Sequence, residues 1–187
     1  EGGVVVGSSI ERTEEDIIKE AMHEMPYGIY VIGTTDGRRA NAMIADWVMQ
    51  VSFSPRLVMV AFERDSSSLA RIREHGWFTV NLLNQEGNGM ALARSFVQPA
   101  NAAKVKGRTG DASTRYHDKL AGVDHHLSER AVGCPIIDDA LAYLECHAEQ
   151  IMEVGDHVLV AGQVLHGEVV NSGEPLTSTY TGWSYSG

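Results

Sequence analysis

The stretch Met25-Pro26-Tyr27-Gly28-Ile29-Tyr30-Val31-Ile32-Gly33-Thr34-Thr35-Asp36-Gly37-Arg38-Arg39-Ala40-Asn41-Ala42-Met43-Ile44-Ala45-Asp46-Trp47 decides the fold. It opens on a helix stop, since proline lacks an amide proton and its predecessor avoids helical angles. Residues 28–34 are then β-branched and apolar, the composition of a strand. Asp36-Gly37 is a hairpin signal, because glycine supplies the positive φ of a tight turn. Residues 39–45 form the return strand. Two strands joined by so short a turn are antiparallel.

The pattern continues on both sides. Upstream, Thr13-Glu14-Glu15-Asp16 reads as a capped helix start with acids in its first turn, and Ile17, Ile18, Ala21 and Met22 form an apolar stripe at helical spacing. Residues 1–12 read as an N-terminal extension or an expression remnant, and 13–187 as a single domain. Downstream, residues 48–53, 57–62 and 78–83 are further strands, with Ser54-Pro55 as a break. A helix starts at Ser66-Ser67-Ser68, carries Leu69 and Ile72, and stops at Gly76, a good residue to end a helix. Another spans residues 89–96. Residues 98–118 are polar and weakly patterned, a surface excursion of the kind that forms lids or partner contacts. Residues 140–154 and 158–170 flank a turn at Gly155-Asp156. Within the first of these, Leu144, Cys146 and Ala148 alternate with Glu145, His147 and Glu149, which predicts one dry and one wet face. Seven or so strands with few helices predict a mainly β chain forming an antiparallel barrel.

Composition narrows the function. The chain has 187 residues, 43% of them hydrophobic and 21% charged, enough for one core without staples. With 15 Lys and Arg against 25 Asp and Glu, the net charge is −10, which argues against a nucleic-acid partner. No apolar run reaches the roughly 20 residues of a membrane helix. No signal peptide opens the chain, and the cytoplasm is the expected compartment. Cys134 and Cys146 have neither zinc nor redox spacing, and the eight histidines show no metal-ligand pattern, so no metal is expected. Rossmann, P-loop and Gly-x-Ser-x-Gly motifs are absent.

Three local features are able to carry chemistry. In Glu63-Arg64-Asp65-Ser66-Ser67-Ser68 a strand ends and a helix begins; free amides and hydroxyls there make an anion site, or a serine simply caps the helix. In Asn41-Ala42-Met43-Ile44-Ala45-Asp46-Trp47 small residues let a flat ligand approach the backbone, or pack beneath a helix. In Gly155-Asp156-His157 the imidazole is a surface residue or a hydrogen-bond partner for a substrate amide.

Taken in order, these segments resemble the flavin reductase-like family, the FMN-binding split barrels. The resemblance runs from Met25 to Val170 through the opening stretch, Val51-Ser52-Phe53-Ser54-Pro55, residues 57–62, Ser66 to Ser68, Gly76-Trp77-Phe78-Thr79-Val80-Asn81-Leu82-Leu83, Ser95-Phe96 and Gly155-Asp156-His157. It implies a six-stranded antiparallel split barrel with a few short peripheral helices, usually a homodimer. By resemblance, Asn41, Ala42, Met43, Ile44, Ala45, Asp46 and Trp47 line the flavin ring. Glu63, Ser66, Ser67 and Ser68 hold the ribityl-phosphate end, and Ser95 and Phe96 close another side. Asp156 and His157 meet NADH or NADPH. The implied function is an FMN-dependent oxidoreductase that takes a hydride from NAD(P)H and passes electrons to free flavin, a monooxygenase or a redox-protein partner. FMN does the hydride chemistry, so no side-chain acid or base is expected. The alternative is an electron carrier resembling flavoredoxin or the reductase modules of diflavin proteins, to which residues 181–185 are similar. A third reading is a barrel that has lost FMN and serves as an interaction module. Two positions depart from the family pattern: Ile44 stands where many members have Thr, and Arg56 where many have a second Pro.

Overall fold

A computed structural model describes residues 11–97 and 118–185. Helix α1 is Glu14–His23, with Thr13 and Asp16 in a reciprocal capping box. Strands β1 (Tyr30–Thr35), β2 (Ala40–Ala45), β3 (Val48–Phe53) and β4 (Arg56–Glu63) follow. Helix α2 (Ser67–His75) precedes β5 (Trp77–Leu82), and α3 is Gly89–Phe96. The short strands β6 (His125–Leu127) and β7 (Pro135–Ile137) lead to the long β8 (Ala142–Val154) and β9 (His157–Val169), and α4 is Ser178–Thr181. The excursion expected at 98–118 lies, apart from Asp118, outside the described residues, as do residues 1–10.

The main sheet has seven strands in the order β2-β1-β5-β8-β9-β4-β3, every neighbouring pair antiparallel. The family resemblance implied six strands; β6 and β7 add a separate two-stranded sheet besides. Period-2 alternation sorts the side chains into two cores. Ile32, Val58, Val60, Phe62, Phe78, Val80, Cys146 and Val160 pack with Leu69 and Ile72 of α2. Val31, Ala42, Leu83 and Ile137 pack with Leu92, Ala93 and Phe96 of α3. Burying a side chain such as Leu69 contributes about 1.5–3 kcal/mol, which is what holds α2 in place. Gly76 ends that helix at φ 80°, a left-handed conformation that only glycine adopts cheaply.

One expectation is corrected. Glu145 is not on a wet face: it is 5% exposed, accepts a hydrogen bond of 2.6 Å from Ser128 Oγ and lies 3.8 Å from Arg130 Nε. The segment between β6 and β7 covers that face, and β7 is anchored there by Ile137 N donating to Asn81 Oδ1 at 2.9 Å. The stripe on α1 is helical but unburied; Ile17 is 52% exposed, and none of the helix's residues is buried. Periodicity reports that a face is apolar, not that this chain covers it.

Candidate functional site

The edge strand β2 ends at Ala45, and through Asp46-Trp47 the chain turns into β3. Trp47 O accepts from Ala61 N at 3.1 Å, tying this corner to β4. Beside the corner, β4 ends at Glu63 and α2 begins. These segments, with α3 and residues 183–185, enclose a cleft of about 780 Å³.

From β2, Asn41, Met43, Ile44 and Ala45 line the cleft, followed by Asp46 and Trp47. Glu63, Ser66, Ser67, Ser68, Phe96 and His157 line it too. Residues from four distant stretches thus share one cavity. Three sequence candidates are placed elsewhere. Ala42 is fully buried in the α3-side core, because alternation turns it away from Met43. Ser95 is exposed and donates to Leu92 O at 2.8 Å, bonding back along its own helix. Asp156, its side chain 96% exposed on the hairpin turn, does not line the cleft; it reaches His157 Nδ1 at 2.6 Å.

The three serines divide their work. Ser66 caps α2, its Oγ accepting from Leu69 N at 3.3 Å. Ser67 is exposed, and its Oγ accepts from Arg71 at 3.5 Å. Ser68 is 1% exposed, and its Oγ has no hydrogen-bond partner among the described residues. A buried hydroxyl left unpaired costs about 1–3 kcal/mol, so its presence in a cleft wall signals a missing partner. The amides of the first helical turn likewise have no carbonyl to meet within the helix.

Sequence reading missed Arg94 and Lys119, which also line the cleft. Lys119 is buried, donates from Nζ to Phe96 O at 3.2 Å, and burial together with the nearby Arg71 charge pushes its pKa down to about 8. An anion in the cleft would relieve that penalty. Ala61, which also lines the cleft, was missed too, although it shares the face of Glu63 by period 2. Lys119 follows a stretch with no pattern, so nothing in the sequence marked it.

The other distinctive feature is aromatic. The Trp47 ring lies 4.7 Å from that of His157 and 5.0 Å from that of Tyr185, and Trp47 Nε1 is buried without a partner among the described residues. Tyr185 Oη donates to Glu63 Oε1 at 2.7 Å and lies 3.1 Å from His157 Nε2. Glu63 and His157 are cross-strand partners of β4 and β9. Burial, then the Glu63 hydrogen bond, holds the Tyr185 phenol in its un-ionised form. Burial also pushes the Asp46 carboxyl up to about 6.

The residues present fit a flat heterocycle bearing a phosphate. Orphan donors at α2 with Arg94 and Lys119 suit the anion. Met43, Ile44, Ala45 and Ala61 offer an apolar ledge beside the Trp47 indole. Glu63 does not suit an anion's end of the cleft, because its carboxylate repels one and is already engaged by Tyr185. Among the described residues, no three His, Cys, Asp or Glu side chains converge as a metal site, and no helix is long and apolar enough to cross a membrane.

Comparison with known proteins shows the family and the fold. The chain is 33% identical over 165 residues to diflavin flavoprotein A 1 of Synechocystis sp., covering 87% of this chain and 26% of that protein. It is 30% identical over 162 residues to the high molecular weight rubredoxin of Moorella thermoacetica, covering 86% of this chain and 64% of that protein. The chain therefore spans from about a quarter to less than two thirds of these curated relatives. In fold it is similar to the NADH:FAD oxidoreductase SgcE6 of Streptomyces globisporus, solved in complex with NAD and FAD fragments, with a TM-score of 0.71, 24% identity, and coverage of 88% of this chain and 87% of that one. A family model described as "Flavin reductase like domain" matches residues 22–184, and the chain belongs to that family.

Proposed function

We propose that this chain is an FMN-dependent oxidoreductase that takes a hydride from NADH or NADPH and passes the electrons to free flavin or to a redox partner. The observation that carries the reading is the buried, unpartnered Ser68 hydroxyl at the start of α2, in a cleft that also holds Arg94 and Lys119. Ser67, Ser68 and the first-turn amides of α2 bind the FMN phosphate, with the two cations balancing its charge. Met43, Ile44, Ala45 and Ala61 support the ring, and Trp47 closes the cleft beside it. When bound, FMN supplies the hydride acceptor. The chain orients the reductant, and His157 is the group that meets the nicotinamide carboxamide.

A homodimer belongs to this reading. Met49, Val51 and Phe53 on β3, with Ile151 and Met152 on β8, leave apolar surface exposed for a second copy to cover. The electron-carrier alternative draws support from the high molecular weight rubredoxin and diflavin relatives, in which the matching stretch is part of a longer protein. Anaerobic mixing of the FMN-loaded protein with NADH, then NADPH, separates the two. Rapid bleaching of flavin absorbance is the expected result; a spectrum unmoved by either nucleotide would favour the carrier.

A further inference from the structure

His157 is fully engaged by its own chain. Nδ1 lies 2.6 Å from Asp156 Oδ1, and Nε2 lies 3.1 Å from Tyr185 Oη. Asp156, its carboxyl held below the usual range by the His157 hydrogen bond, accepts from Nδ1–H. That leaves Nε2 as the one position from which the ring can meet a ligand. Tyr185 occupies it. The tyrosine has a single hydroxyl proton and two neighbours. If that proton goes to Nε2, the Glu63 contact is lost; if it goes to Glu63, Oη still lies 3.1 Å from Nε2 and covers its approach. In either arrangement the phenol oxygen occupies the approach to His157 Nε2.

Tyr185 is attached in a way that lets it leave. Helix α4 is pinned, since Tyr27 N donates to Ser178 Oγ at 2.8 Å and Ser178 N to Tyr27 O at 2.7 Å. The helix ends at Gly182, φ 72°, and Trp183 N donates to Thr181 Oγ1 at 3.1 Å. Beyond that point, among the described residues, no backbone hydrogen bond holds Ser184 or Tyr185. Among the described residues, Tyr185 is retained by its side chain, through Glu63, His157 and the Trp47 ring, and it is 40% exposed. It also lies one residue beyond the stretch matched by the family, residues 22–184.

We propose that Tyr185 is an internal competitor for the nicotinamide carboxamide: its hydroxyl holds His157 Nε2 in the free protein, must be displaced for a primary amide to take that nitrogen, and so sets the affinity for the pyridine nucleotide. The inference rests on the reading that His157 meets NAD(P)H. It makes Tyr185 a positioning residue that acts through His157.

The test uses FMN-loaded protein and three variants: Tyr185→Phe, which keeps the ring and removes the hydroxyl, His157→Ala, and the two combined. Binding of NAD+ and of NADP+ is measured by calorimetry, with KM and kcat for the reduced forms alongside. One neutral hydrogen bond corresponds to roughly a fivefold change. Tyr185→Phe is expected to tighten the nucleotide Kd and lower KM about three- to tenfold, with KM moving more than kcat. In the His157→Ala background the same change is expected to do nothing. Weaker or unchanged binding in Tyr185→Phe overturns the proposal, as does tightening that persists without His157. If His157→Ala weakens binding while Tyr185→Phe has no effect, only the competitor idea fails. If His157→Ala leaves nucleotide binding untouched, or no variant binds either nucleotide, the reading beneath it fails as well.

Discussion

Replacing Ser68 by alanine should move stability and ligand affinity in opposite directions. In the free protein the Ser68 hydroxyl is buried with no partner among the described residues. An unsatisfied buried hydroxyl costs about 1–3 kcal/mol, and alanine is also the better helix former by a few tenths of a kcal/mol. Ser68→Ala should therefore raise the stability of the FMN-free protein by about 1 kcal/mol or more. With FMN present the hydroxyl would donate to a phosphate oxygen, a charge-assisted bond contributing about 1.5–3 kcal/mol. Its removal should weaken FMN binding by about 10- to 150-fold. Urea unfolding of the FMN-free protein gives the first quantity, and quenching of flavin fluorescence on titration gives the second. A variant that is less stable when free shows the hydroxyl to be satisfied structurally. A variant that binds FMN as tightly as the parent removes the phosphate from α2. Either result refutes the reasoning, because both effects follow from the same orphan oxygen.

Asp46 provides a pH test. Burial raises its folded pKa to about 6 from an ordinary value of 3.8. The folded state then holds a proton that the unfolded chain has released, so stability is undiminished below about pH 4 and declines as pH rises through 6. Full burial would make the penalty about 3 kcal/mol, and partial solvent screening reduces it to about 1 kcal/mol. Asp46→Asn should stabilise the protein by about that much more at pH 8 than at pH 4 in urea titrations; equal differences at both pH values count against a raised pKa. For the homodimer, Phe53→Glu places a charge at a residue 85% exposed on β3, and sedimentation velocity should then show a monomer. A dimer of unchanged affinity would locate the interface elsewhere.

Local rules made most of the elements legible. The Asp36-Gly37 turn is there with Gly37 at φ 84°, and Thr13, Ser66 and Gly76 mark helix ends as their chemistry predicts. These signals are short-range, so sequence carries them whole. Failures occurred where the outcome depends on what another segment covers. Glu145 alternates like a surface residue and is buried because the segment from Ser128 to Ala131 lies over it. The α1 stripe is apolar at helical spacing, yet none of the helix's residues is buried among the described residues.

The candidate site follows the same division. Its β2 and α2 residues are contiguous, so a motif displays them together, although alternation excludes Ala42 and helix geometry excludes Ser95. Arg94, Lys119 and Tyr185 reach the cleft from segments whose local sequence has no reason to announce it. Of these, Tyr185 changes the chemistry most. Read alone, His157 is a free imidazole at a hairpin end, ready for an amide. In the fold it is a ring with both nitrogens engaged, between an exposed carboxylate and a phenol that also serves Glu63. Whether a histidine is available to a ligand is a property of its neighbours' hydrogen-bonding capacity, and here the decisive neighbour is 28 residues away in sequence.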